Sequence, residues 1–258
     1  MEQRLMFNAV ADDYDRYRPG YPDALFEDLA AETGLTSSDR ILELGCGAGQ
    51  ATAALAAFGV PLLALDPGPD LIRAAAARVG QAPHVAFAEA TFESWPLQPQ
   101  AFKLVLAAQA WHWIDPAVRF EKAAQALVPG GVLAVLGNVP LPGPPDGLAE
   151  LEDLFMTHAP HLWAPPPETW YLPKAGPLLE LFPTAQRYGP VIHRAYPYSR
   201  RLTRAAFEGL YRSFSYFQAL PEAAREALIG GMVEIALSQA PDIRMDYEAQ
   251  LYMAHRRP

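Results

Sequence analysis

The stretch Ile41-Leu42-Glu43-Leu44-Gly45-Cys46-Gly47-Ala48-Gly49-Gln50 constrains the fold more than any other part of the chain. Ile41 to Leu44 reads as a buried strand. The alternating glycines permit a tight turn with close backbone approach, and Gln50 to Phe58, alanine-rich and stopped before Gly59, reads as the helix that the turn opens. A strand passing through a glycine turn into a helix is half of a βαβ nucleotide-binding unit. The helix N-terminus offers backbone N–H groups and a positive dipole end to an anionic part of the ligand.

Spacing narrows the ligand. A dinucleotide fingerprint requires Gly-x-Gly-x-x-Gly, yet Gln50 stands three places after Gly47, and no lysine supplies the Gly-Lys-Ser/Thr of a P-loop. Glu43, two residues before the first glycine, would repel a pyrophosphate but suits a ligand carrying an ammonium or sulfonium group. The next apolar run, Leu62 to Asp66, ends on a carboxylate able to accept both hydroxyl hydrogens of a ribose. A ribose, a cation and a small anion on one ligand describe S-adenosylmethionine. Gln50 and Glu43 disfavour a nicotinamide cofactor.

At this point the chain resembles the class I methyltransferases, in the small-molecule branch that includes trans-aconitate methyltransferase-like proteins. The matching pieces are Leu42 to Gly49, Leu65-Asp66-Pro67, Ala90-Thr91-Phe92-Glu93, Ala107 to Pro116 with its Trp111-His112-Trp113, and the lead-in Tyr14 to Pro22. The resemblance covers roughly residues 7 to 138 and is loose beyond. It implies cofactor contacts from Glu43, Gly45, Cys46, Gly47, Asp66, Pro67, Ala90, Thr91, Phe92, Gln109 and Ala110. It also implies an N-terminal arm that folds over the cofactor, with Tyr14 and Arg18 reaching it. Tyr14 and Arg18 equally fit a packing aromatic and a solvated arginine, and Phe92 equally fits the core. Glu89 stands slightly early and Glu93 slightly late for the acidic contact that relatives make to the adenine amino group.

Helices at Pro22 to Thr33, Pro69 to Arg78 and Pro116 to Ala126 alternate with strands at Val85 to Glu89, Phe102 to Ala107 and Val132 to Gly137. Another helix is expected over residues 2 to 17, and closing strands at Val191 to Tyr198 and Met245 to Ala254. The pattern predicts an α/β Rossmann-like fold with a mostly parallel seven-stranded sheet and helices on both faces. Ligands in such sheets bind beyond the carboxyl ends of the strands, where Glu43, Asp66, Glu89 and Gln109 converge.

His112 falls where the methyl group is expected. Its near-neutral titration suits removal of a proton from a hydroxyl or amine acceptor, whereas a carboxylate or thiolate acceptor needs no base and leaves His112 as a packed, hydrogen-bonded pocket residue. Tyr21, Trp111, Trp113, Trp163, Trp170 and Tyr211 are candidates for the acceptor pocket. Cys46, the one cysteine, excludes an internal disulfide and reads as a space-filling residue rather than a nucleophile. No metal-ligand spacing is present, since His158 and His161 alone are insufficient.

Nearly half of the 26 prolines fall between Pro140 and Pro190, which breaks the α/β alternation. The expected organisation is an arm and cofactor core over 1–138, a cap insertion over 139–190, and the end of the sheet over 191–258 with a second insertion at about 203–240. Short helices are expected at Glu150 to His158 and Leu178 to Phe182, and longer ones at Arg204 to Ser215 and Glu222 to Ser238. Arg194, Arg200, Arg201, Arg204 and Arg212 stand out in a chain of net charge -9 and suggest attraction of an acidic acceptor, against the ordinary reading of solvated arginines. That charge argues against nucleic acid as the main partner. With no leader at Met1 to Arg4 and no membrane-length apolar run, the expectation is a cytoplasmic monomer or homodimer. The expected activity is methyl transfer to a small organic acceptor, with oxygen favoured over nitrogen or carbon. The competing expectation is a protein of the same fold that binds the cofactor without methyl transfer.

Overall fold

The computed structural model describes residues 17–141, 147–163 and 187–258. The expected helix over 2–17, apart from its last residue, the helix over 178–182, and the candidates Tyr14 and Trp170 lie outside the described residues. Seven strands form one sheet: β1 (Ile41–Leu44), β2 (Leu62–Asp66), β3 (Val85–Glu89), β4 (Phe102–Ala108), β5 (Leu127–Pro140), β6 (Ile192–Leu202) and β7 (Ile243–His255). Their order is β3-β2-β1-β4-β5-β7-β6. The β1/β2, β1/β4, β2/β3 and β4/β5 pairs are parallel. β7 runs antiparallel to β5: Gly130 N donates to Arg256 O near one end, and Leu141 N donates to Asp246 O near the other.

The central strands β1, β2 and β4 read correctly from sequence because most of their residues are buried on both faces, whereas β3 is half-buried to exposed throughout. All four residues of β1 are buried, as expected of a central parallel strand, and β6 at the edge alternates and carries Pro197, which an edge tolerates. β5 begins five residues before the expected Val132. Phe102 pairs with Leu127 but Leu104 with Val132, so Val128–Gly131 bulge out of the ladder and the Pro-Gly-Gly run does not end the strand. The helix expected from Pro116 starts instead at Arg119, because the Asp115 carboxylate accepts from Ala117 N and holds a turn ahead of it. The helix after the glycine turn ends at Ala56, two residues early, in tighter turns closed by Phe58 N to Leu55 O and Gly59 N to Ala56 O.

The chain divides into two compact units. The described residues of the first are 19–138, 187–196 and 249–258, and those of the second are 17–18, 139–141, 147–163 and 197–248. The first has a core of sheet residues, among them Leu42, Leu44, Phe102, Val105, Leu133 and Tyr252. The second is cored by Phe155, Leu210, Tyr211, Phe217, Leu228 and Val233, from the helices Leu148–His158, Arg204–Arg212, Ser215–Gln218 and Glu222–Gln239. Among the described residues no helix is long and apolar enough to cross a membrane.

Candidate cofactor site

In the first unit the strand order reverses at β1. β2 and β3 lie on one side of it, β4 and β5 on the other, and a crevice opens beyond the carboxyl ends at such a switch point. The glycine turn is built tightly into it. Gly45 has φ +66°, and a Cβ there would stand 2.5 Å from Ala110 Cβ at the end of β4. Gly49 has φ +85°, and its Cβ would meet Ala75 Cα of the helix Pro69–Val79 at 2.8 Å. Asp66 ties the turn to β2. Its Oδ2 accepts from Gly47 N at 2.9 Å and its Oδ1 from Gly68 N at 2.8 Å. Each oxygen keeps a lone pair for a ligand hydroxyl. Pro67, between the two bonded residues, is half-buried.

Glu43 is 1% exposed, and neither of its oxygens makes a hydrogen bond of full geometry among the described residues. Burial pushes its carboxyl up to about 7; the neighbouring Thr52 hydroxyl opposes this and the Asp66 charge adds to it. Burial likewise holds Asp66 above the ordinary carboxylate range, opposed by the Gly68 and Gly47 amides. Two carboxylates in a poorly solvated turn generate a negative potential that a cationic ligand relieves and a pyrophosphate aggravates. The Cys46 thiol is buried and pushed well up by burial and by the Glu43 and Asp66 charges, so it is not the thiolate a nucleophile requires.

Beyond β4, Gln109 sits at φ +55°, uncommon for a residue with a Cβ. Its Nε2 donates to Asn138 O at 2.9 Å, and the Asn138 Nδ2 donates to Gly20 O at 2.9 Å, which fastens the lead-in to the ends of β4 and β5. Tyr21, next to that anchor, is half-buried edge-on to Phe26. Trp111–Trp113 forms one turn of 3-10 helix, which sends the three side chains in different directions. His112 is exposed, with its ring 4.9 Å from that of the half-buried Trp113. Trp111 turns inward, 1% exposed and edge-on to Phe120 at 5.0 Å, within the core rather than at a surface.

After β3, Ala90 and Thr91 are half-buried, and the Thr91 hydroxyl and carbonyl are both engaged by Ser94. Phe92 is 4% exposed and stacks on Trp95, so its ring lies in the core. Glu93 Oε1 accepts from Asp115 N at 3.0 Å, joining this loop to the one after β4.

Three candidates fall in the second unit. Arg18 donates its Nε to Ser213 Oγ at 2.9 Å and Nη2 to Ser213 O at 3.0 Å, with its guanidinium 4.2 Å over the Phe214 ring. Tyr211 is buried in that unit's core, and Trp163 packs on Phe155 at 5.6 Å. The arginine group does not form a free basic patch. Arg201 pairs with Asp242, Arg204 with Glu234 and Arg212 with Glu226, while Arg200 donates to Tyr17 O; in the first unit Arg194 pairs with Asp28. Sequence reasoning missed Thr52, Gly68 and Asn138. Only Asn138, a polar residue closing the apolar run of β5, left a signal. Among the described residues no group of three His, Cys, Asp or Glu is placed to hold a metal ion.

Comparison with known proteins gives a consistent picture. Residues 42–135 match the model of a methyltransferase domain. An uncharacterized methyltransferase of Mycobacterium tuberculosis is 34% identical over 137 residues, 53% of this chain and 54% of that one. The chain thus spans about half the length of that relative. A trans-aconitate 2-methyltransferase of Rhizobium leguminosarum bv. trifolii is 34% identical over 187 residues, 69% of this chain and 62% of that one. In fold, the chain is similar to a solved structure from Anaeromyxobacter dehalogenans provisionally described as a type II methyltransferase, with a TM-score of 0.66 and 24% identity over 94% of this chain and 99% of that one.

Proposed function

From the premise that this chain carries a methyltransferase domain at residues 42–135, we propose that it transfers the methyl group of S-adenosylmethionine to an oxygen of a small organic acceptor. One observation supports the cofactor most: Glu43 and Asp66, both buried carboxylates, flank a glycine turn that contains no cationic side chain. A sulfonium ribonucleoside satisfies that charge, and the remaining lone pairs of Asp66 suit its ribose. Methyl transfer is an in-line displacement at carbon, so the residues around it act by positioning and by excluding water.

The cofactor reading is tested by calorimetric titration with S-adenosylmethionine, S-adenosylhomocysteine and NADH, repeated on Asp66→Ala. The first two are expected to bind and NADH not. The substitution is expected to weaken binding at least about tenfold, or about 1.4 kcal/mol, because it removes the ribose acceptor and frees the Gly47 and Gly68 amides. Binding of NADH alone would overturn the reading.

Trans-aconitate is the first acceptor to try, since the Rhizobium relative is named for it. His112 is assigned the base only where the acceptor is a hydroxyl. With a phenol or alcohol, His112→Ala is expected to lower kcat about a hundredfold while leaving the affinity for S-adenosylhomocysteine unchanged. With a carboxylate the rate should be untouched. Wild-type turnover of a hydroxyl acceptor by the variant would remove the base assignment.

A further inference from the structure

Two cations on one helix have no part in the site described so far. Arg119 and Lys122 stand three residues apart on the helix Arg119–Ala126, and therefore on one face of it. Arg119 is 4% exposed. It donates Nη1 to Trp111 O at 3.1 Å, and its Cζ lies 5.6 Å from the centroid of the Trp111 ring and 5.5 Å from that of Phe120. Its Nε is buried and meets no acceptor among the described residues. Lys122 Nζ donates to Glu93 O at 3.0 Å and to Trp95 O at 2.6 Å, and lies 5.3 Å over the Phe92 ring. Neither cation forms an ion pair with a carboxylate among the described residues. Burial pushes both below their ordinary values, opposed by the charges of Asp115 and Glu93 respectively.

Arg119 is buried and Lys122 half-buried; a cation so placed that spends its donors on neutral carbonyls contributes little to stability, and an apolar side chain of similar volume would pack there with a smaller desolvation cost. What the cation adds is direction. Each charge-assisted bond fixes where a main-chain carbonyl points. The carbonyls belong to two loops, Trp111 to the one after β4 and Glu93 and Trp95 to the one after β3, and the bond from Asp115 N to Glu93 Oε1 links those loops to each other.

We propose that Arg119 and Lys122 are positioning residues that hold the turn Trp111–Trp113 and the loop over 90–95 in fixed register at the carboxyl ends of β4 and β3, and so shape the site from behind. The proposal rests on the cofactor reading above, since it treats those two loops as the walls of that site.

The test uses Arg119→Leu, Lys122→Met and the conservative Lys122→Arg in the full chain. Three measurements are made: titration with S-adenosylhomocysteine, the thermal midpoint, and amide hydrogen exchange over 90–95 and 109–115. Both apolar variants should weaken S-adenosylhomocysteine about tenfold with no fall in the thermal midpoint. Exchange should quicken over 109–115 for Arg119→Leu and over 90–95 for Lys122→Met, and Lys122→Arg should restore most of the affinity. Wild-type affinity and exchange in both apolar variants would overturn the proposal, as would an affinity loss that only tracks a falling thermal midpoint. If the wild-type chain binds no S-adenosylhomocysteine, the cofactor reading fails instead. The exchange pattern then still decides whether the two cations order the loops.

Discussion

Gly49→Ala is expected to destabilise the protein by about 3 kcal/mol and to abolish cofactor binding. Two separate costs combine there. At φ +85° a residue with a Cβ is strained by roughly 1–2 kcal/mol, and the new methyl would stand 2.8 Å from Ala75 Cα, a backbone atom that cannot swing aside. Relieving that contact means moving the helix Pro69–Val79 away from the turn, an overpacking cost of about 1–3 kcal/mol. Gly45→Ala should behave similarly, because its Cβ would meet Ala110 Cβ at 2.5 Å with φ +66°. The control is Gly59→Ala, where φ is +67° but nothing among the described residues lies within 4 Å of the new Cβ, so only the conformational cost of roughly 1–2 kcal/mol applies. Urea denaturation and S-adenosylhomocysteine titration of the three variants check this. A Gly49 variant no less stable than the Gly59 variant would show that the turn is not held by close approach.

The contrast among these glycines shows what the sequence could and could not disclose. That the turn needs glycine was legible, since three in alternation after an apolar strand have few other uses. Which atoms each glycine makes room for was not, because Ala110 and Ala75 lie far along the chain and carry no local signal. The ligand class followed from Glu43 and Asp66 because charge and position are local: a carboxylate two residues before the turn suits a cation and opposes a pyrophosphate, and one closing the next strand suits a ribose. Single aromatics were less readable. Trp111 and Phe92 were candidates for site surfaces, yet both rings lie in the core, because a 3-10 turn and an irregular loop do not impose a period from which facing can be inferred. The arginines misled through their number alone. Long side chains find carboxylates remote in sequence, as Arg204 finds Glu234 and Arg201 finds Asp242.

Glu43→Gln should make the unliganded protein more stable at pH 8 and bind the cofactor more weakly. The buried carboxyl titrates at about 7 in the folded chain against an ordinary 4.5, so the folded state holds this proton more tightly than the unfolded one. The stability contributed by that proton is complete below about pH 4.5 and is lost as the pH rises towards 7. Above 7 the loss is constant at about 3 kcal/mol. Glutamine keeps the shape and does not titrate. Relative to the variant, the wild type should therefore lose stability between pH 4.5 and 7 and run parallel to it above. At pH 8 the variant's advantage should be about 1–3 kcal/mol, reduced from the full value because the buried amide also lacks a partner. Asp66 titrates in both proteins, so the difference isolates Glu43 to first order. A cationic cofactor reverses the preference, since it stabilises the ionised carboxylate that burial disfavours. Near pH 7, wild-type binding of S-adenosylmethionine should then release protons, seen as a dependence of the calorimetric enthalpy on buffer ionisation. The variant should release none and bind about tenfold more weakly. Parallel stability curves across the whole pH range would mean that Glu43 is ionised at no cost in the folded chain, and the charge argument for the cofactor would lose its basis.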